Sequence, residues 1–196
     1  LSLILNLKTP LVTEPVSLAE AKTYLRVDIA DDDGLISTLI TSAREYCESV
    51  TGRALATQSW EYIMQYFPFD RSFIEIPRPP LQLVTKAQYR NSFGVIADID
   101  PNTILFDYSS EPGRIVLAYN RYWPIFIPYP AGAVIIDFTA GYSAANLMPV
   151  SIKQAMLLLI GQWYENREPM ATKRLTELNY SVDALLTPNR VQMMRW

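Results

Sequence analysis

Hydrophobic positions along the chain repeat with two periods, and the change of period marks a helical opening, a strand-rich middle and a helical return. Near the start, Ser17 stands three residues before Glu20, ahead of the narrow apolar stripe Leu18, Ala21 and Leu25. That spacing is a capping box and predicts a short helix to about Val27. The run Asp31-Asp32-Asp33-Gly34 follows. Its acceptors and negative charge suit the free N–H groups and positive dipole end of a second helix, so helix capping is the expected role of these acids. Leu35, Ile36, Leu39, Ile40, Ala43, Tyr46, Cys47 and Val50 recur at helical spacing, and Thr51-Gly52 closes the pattern with a residue that tolerates the left-handed cap.

From Gln58 the period drops to two: Trp60, Tyr62, Met64 and Tyr66 alternate with Glu61, Ile63 and Gln65, which is a strand pattern. Further strands are expected at 72–76, 81–90, 95–99, 103–108, 114–119 and 134–139. Between them lie Pro77-Arg78-Pro79-Pro80, Asn91-Ser92-Phe93-Gly94, Asp100-Pro101-Asn102, Glu111-Pro112-Gly113 and Trp123-Pro124, stretches that strands avoid. Connections this short leave no room for crossover helices, so the strands should pair mainly antiparallel.

After Met148-Pro149 the helical period returns, with Ile152, Ala155, Met156, Leu159, Ile160 and Trp163 on one face. Leu39, Ile40 and Ala43 should pack against that face. One or two helical turns are expected at 181–186, stopped by Thr187-Pro188. The expected fold is α+β: a small bundle of three main helices, a mainly antiparallel β insertion and an extended C-terminal tail. The expected divisions are an N-terminal extension (1–14), a helical part (15–57), the insertion (58–140), a returning helix that packs on the helical part (141–169), and a linker with an interaction tail (170–196).

Composition narrows the chemistry. Among 196 residues there is no histidine, which removes Ser-His, Cys-His and zinc-histidine mechanisms. The single cysteine, Cys47, cannot form an intrachain disulfide and points to synthesis in a reducing compartment. The apolar run Ala155 to Ile160 is far below the roughly 20 residues of a membrane span, and Leu1 to Lys8 lacks the basic lead and long core of a secretory signal. A net charge of −3 creates no strong field toward nucleic acid or anionic lipid. Residues 1–50 are acidic overall and 139–196 basic, which would suit head-to-tail contacts between copies or a solvated surface.

Four constellations invite a chemical reading. An EF-hand frame aligned on Gly34 puts Ile29 and Ile40 at its first and twelfth positions, so calcium binding fails. Asp98-Ile99-Asp100 has the form of a metal-nucleotide triplet, but two acids two apart on any strand look the same. Paired carboxylates with Trp60, Tyr62, Tyr66, Tyr122 and Trp123 would serve a carbohydrate- or peptide-binding module or a small carboxylate hydrolase, while the same aromatics also fill a half-buried sheet. No phosphate-cradling glycine motif occurs. No cofactor or metal is expected.

The tail is the candidate interaction site. Leu185, Leu186, Val191, Met193, Met194 and Trp196 lie beside Arg190 and Arg195 in a segment too short to build its own core, so its apolar groups need another surface, either that of its own domain or that of another chain. Twelve of the 17 basic residues are arginine, the residue of bidentate interface contacts.

Several segments in order carry a family resemblance. They are Pro15 to Lys22, Tyr24 to Asp28, Asp31-Asp32-Asp33 with the following apolar pairs, and Thr51-Gly52-Arg53-Ala54-Leu55; then Pro112 to Ile115, Thr139-Ala140-Gly141-Tyr142, Pro149 to Ala155, Trp163 to Glu168 and Ala184 to Arg190. The set resembles the head-tail connector (adaptor, head-completion) proteins of tailed phages and prophages from about residue 12 to 191. The resemblance implies a non-enzymatic virion protein, made in the host cytoplasm, that forms a ring, commonly twelvefold, under the portal protein. Such a ring continues the DNA channel without sequence-specific DNA binding and docks the next stopper or tail-completion component. On this reading the tail from about Ser181 orders only against the portal.

Overall fold

The structure, a computed structural model, describes residues 4–9, 11, 13–69, 72–143, 147–166 and 180–191. Its described residues form two compact units: a β-rich one from 4–11, 57–141 and 191, and a helical one from 13–56, 142–166 and 180–190.

The helical unit holds α1 (Leu18–Leu25), α2 (Asp33–Thr51), α3 (Val150–Glu165) and α4, helical over 180–186, which runs into a 3-10 turn at Thr187–Asn189. The capping box forms as expected. The Glu20 N–H donates to Ser17 Oγ at 3.2 Å, and the Ser17 N–H donates to Glu20 Oε2 at 3.0 Å. The Asp run stands at the start of α2 as expected, with Asp33 in the first turn, but the capping hydrogen bond does not form. Asp32 holds the N-cap position of α2 without a side-chain cap bond; it accepts instead from the Tyr164 hydroxyl at 2.5 Å, while Asp33 Oδ1 pairs with Lys22 Nζ at 2.6 Å. These carboxylates tie α2 to its neighbours in the bundle. At the other end Gly52, with φ 73°, closes α2 in the left-handed conformation that glycine adopts at no steric cost.

The core of this unit is the meeting of the apolar stripes. Ile40, Ala43, Ile152, Met156 and Leu159 are buried together, with Leu39 and Trp163 packed at the margin. Val182 and Leu186 of α4 are fully withdrawn from solvent in the same cluster. Tail residues 181–190 therefore fold on their own unit, which corrects the expectation that the segment from Ser181 orders only on a partner.

The β-rich unit contains two antiparallel sheets. The larger has the order β1-β2-β8-β4-β5, from β1 (Ile4–Thr9), β2 (Gln58–Met64), β8 (Val134–Ala140), β4 (Leu81–Arg90) and β5 (Ile96–Asp98). The smaller has the order β3-β7-β6, from β3 (Phe73–Glu75), β7 (Arg114–Leu117) and β6 (Ile104–Asp107). Register follows side-chain chemistry: Tyr62 lies opposite Ile136, and Trp60 opposite Phe138, which in turn faces Val84. Tyr62, Met64, Val84, Ile136 and Phe138 are buried, as are Ile74, Ile104 and Ile115 of the smaller sheet.

Residues 4–9 had no element assigned from sequence, yet they form the edge strand β1 against β2. Lys8 reaches across two strands from there, 2.9 Å from Asp137 and 3.3 Å from Glu61. Those carboxylates raise the Lys8 ammonium above its ordinary range, Asp137 most. Among the described residues, no helix is long and apolar enough to cross a membrane.

Candidate functional site

Two surfaces concentrate groups suited to holding other molecules, one in each unit. In the helical unit, the residue after the α2 cap is Arg53. Its Nε donates to the backbone carbonyl of Asn189 at 2.7 Å, and its Nη1 donates to the Tyr142 hydroxyl at 3.2 Å. The Asn189 side-chain amide in turn donates to Ser151 Oγ at 2.9 Å and to the Leu185 carbonyl at 3.0 Å. Arg190, half-exposed, lies 3.6 Å from Asp183. Hydrogen bonds from a charged donor are worth about 1.5 to 3 kcal/mol, so Arg53 anchors the end of the 3-10 turn and sets where the chain leaves the unit.

Behind this clasp lies a buried ionic group. Arg44 donates from Nε to Glu14 at 3.0 Å and from Nη1 to Glu48 at 2.9 Å, and Glu48 accepts the Leu55 N–H at 2.9 Å. Both Arg44 and Glu48 are buried, and the multiple hydrogen bonds offset the desolvation of their charges. The loop carrying Arg53 is thereby fixed from both sides. Arg53, Tyr142 and Asn189, far apart in sequence, meet in this one hydrogen-bonded patch.

In the β-rich unit, a turn at Tyr119 and Asn120 leads into an extended arm from Arg121 to Tyr129, whose side chains divide between anchors and projections. The Trp123 ring stacks flat on Phe67, with centroids 5.0 Å apart, and Phe126 packs 4.7 Å from Tyr89. The Arg90 guanidinium sits 5.1 Å over the Tyr129 ring, and Gln65 Nε2 donates to the Tyr129 carbonyl at 2.8 Å. Pro124, Pro128 and Pro130 restrict the backbone further. Facing outward are Tyr119 at 99% exposure, Tyr122 at 78%, Ile125 at 100% and Ile127 at 74%. A row of large, mostly apolar groups this exposed is a candidate contact surface.

The tail residues singled out from sequence separate. Leu186 is buried in the helical core and Leu185 is packed against it, which removes both from an exposed set. Arg190 and Val191 are placed at the end of the clasped segment. Met193, Met194, Arg195 and Trp196 lie outside the described residues.

The chemical candidates are spent on structure. Asp98 accepts from Gln88 at 2.7 Å, and Asp100 accepts the Asn102 N–H at 2.9 Å within its turn. Burial, with the Glu48 charge second, pushes the Cys47 thiol up to about 12, so it remains an unreactive thiol. Burial and then Glu75 push Tyr62 up to about 12. Asp107 is held well below the usual carboxylate range by bonds from Ser110 and Ser109. Of the aromatics considered for stacking on a ligand, Tyr62 is buried, Trp123 has a face covered by Phe67, and Trp60 lies beneath the Arg78 guanidinium, while Tyr66 and Tyr122 remain exposed. Among the described residues, no group of three or more Cys, Asp or Glu side chains could hold a metal ion. Sequence reasoning missed Tyr119, Ile125 and Ile127; the close spacing of three prolines through an apolar run was the available signal. Arg53 and Asn189 stood in quoted motifs without a role.

The chain thus combines an α+β fold, a clasped C-terminal segment and an arm that presents large apolar groups to solvent. The chain belongs to the head completion protein family, whose profile matches residues 14–175. No curated protein matches it in sequence. Solved structures do. A chain from the neck of an empty gene transfer agent (GTA) particle computed with C6 symmetry is 25% identical, with a TM-score of 0.77 over 98% of this chain and 97% of the other. A chain from the neck of a native GTA particle computed with C12 symmetry gives the same identity, score and coverage. A chain from the virion of a native GTA particle, 24% identical with a TM-score of 0.79 over 98% and 97%, shares the fold. The protein is thus a structural component of the head-to-tail junction of a phage-like particle, a head-tail connector.

Proposed function

We propose that copies of this chain form a ring, twelvefold in the assembled particle, which sits under the portal protein, continues the passage for DNA and offers its far face to the next stopper or tail-completion component. The C-terminal end, Arg190 and Val191 followed by Met193, Met194, Arg195 and Trp196, is the portal-binding element. It acts by contact and not by catalysis. The observation that carries this reading is the clasp: Arg53 and Asn189 anchor the chain immediately before a terminus rich in Met, Arg and Trp, the residue types that dominate interface cores. An ordered anchor ahead of a binding segment lowers the entropic cost of capture. Net charge supports the passage of DNA: at −3 per copy the ring lacks the excess of Lys and Arg whose phosphate contacts would multiply round it.

The test is removal of residues 191–196, which spares Val182 and Leu186 in the helical core. The shortened chain should unfold at the same temperature as the full chain and no longer co-sediment with purified portal. Undiminished portal binding would place the contact elsewhere.

A further inference from the structure

A ring of identical chains needs two dissimilar surfaces on each chain, because a head-to-tail contact closes only when one patch meets a different patch of the next copy. The β-rich unit carries such a pair. One is the projecting arm, with Tyr122, Ile125 and Ile127 held outward by the anchored Trp123, Phe126 and Tyr129. The other is an open groove of about 470 Å³ between the β4–β5 side of the larger sheet and β6 of the smaller, lined by Val84, Ala87, Asp98, Ile99, Ile104 and Phe106.

Charge distinguishes the two surfaces as well as shape does. The arm carries Arg121 and no acid. The groove is lined by Asp98 on its β5 side, with Asp100 two residues on, and by Lys86 on its β4 side. Opposite charge at the rim around an apolar centre gives register to a contact that burial stabilises. Because its anchors and prolines already fix the arm, little further ordering is lost on docking.

We propose that the arm of one copy seats in the groove of its neighbour, with Ile125 and Ile127 entering between the sheets and Arg121 meeting Asp98 and Asp100. This contact rests on the ring reading and names the surfaces that would close the ring.

Cysteine pairs introduced into assembled particles test it, since the natural Cys47 is fully buried. Particles carrying both Ile125→Cys and Ala87→Cys, gently oxidised, should show a ladder of crosslinked dimers and higher multimers that collapses on reduction; neither single variant should. A second pair, Ile127→Cys with Thr85→Cys, guards against misfolding of the first, and absence of a ladder from both pairs overturns the proposal. In parallel, Ile125→Asp, at a fully exposed position, should lower incorporation of the chain into particles by about tenfold or more, because docking would bury an unpaired charge. Incorporation at the wild-type level also overturns it. Failure of the ring reading looks different: the wild-type chain itself would then be missing from purified particles.

Discussion

Arg53 Nε and the carbonyl oxygen of Asn189 stand 2.7 Å apart, joining the end of α2 to the last described residues of the C-terminal segment across 136 positions of sequence. Replacing Arg53 by Ala removes this bond and that to Tyr142, and is expected to cost about 1.5 to 3 kcal/mol. Amides of residues 180–190 should lose hydrogen-exchange protection while those of β2 and β8 keep theirs. Arg53→Lys should not restore it, because a single ammonium cannot reproduce the two-pronged guanidinium geometry. Unchanged protection at 180–190 would dismiss the clasp.

Truncating buried leucines separates core from surface in the tail. Leu159→Ala and Leu186→Ala should each destabilise by about 2 to 5 kcal/mol, since both lie in the same apolar cluster. Leu186→Ala with an unaltered denaturant midpoint would return that residue to the partner-facing set.

Alkaline pH should weaken the fold from about pH 9 upward. In the unfolded chain Cys47 releases its proton near 9.0 and Tyr62 near 10.0, whereas burial keeps both protonated to about 12 in the folded protein. Over that window the unfolded state binds fewer protons, so unfolding free energy falls as pH rises, by up to roughly 1.4 kcal/mol per pH unit for each group. Cys47→Ala should remove the component that starts at pH 9 and leave the one that starts at pH 10. A melting temperature independent of pH up to 11 would contradict these environments.

Most of the architecture was legible because punctuation is dense. Pro-rich and Asx/Gly turns bracket β3 to β8 closely, and the stripe Ile152, Met156 and Leu159 named the face of α3 that packs on Ile40 and Ala43. Strand β1 escaped although Leu5 and Leu7 alternate with Asn6 and Lys8, because it is held by pairing with β2, 50 or more residues away, and by the Lys8 contact with Asp137 of β8. Leu186 was misplaced for a related reason: an amphipathic turn announces that it needs a surface, not whether that surface is on its own unit. The arm has no sequence counterpart beyond Tyr122 and Trp123, named as stacking aromatics without a common role. Its division into anchored Trp123 and projecting Ile125 depends on Phe67 and Tyr89, which tertiary folding brings there.

The role at the head-to-tail junction is tested most directly by removing this chain alone from a producing cell and imaging the particles by electron microscopy. DNA-filled or leaking heads and free tails, joined again when the full chain is resupplied but not when the chain lacking 191–196 is, are the expected result. Normally tailed particles made in its absence would contradict the account.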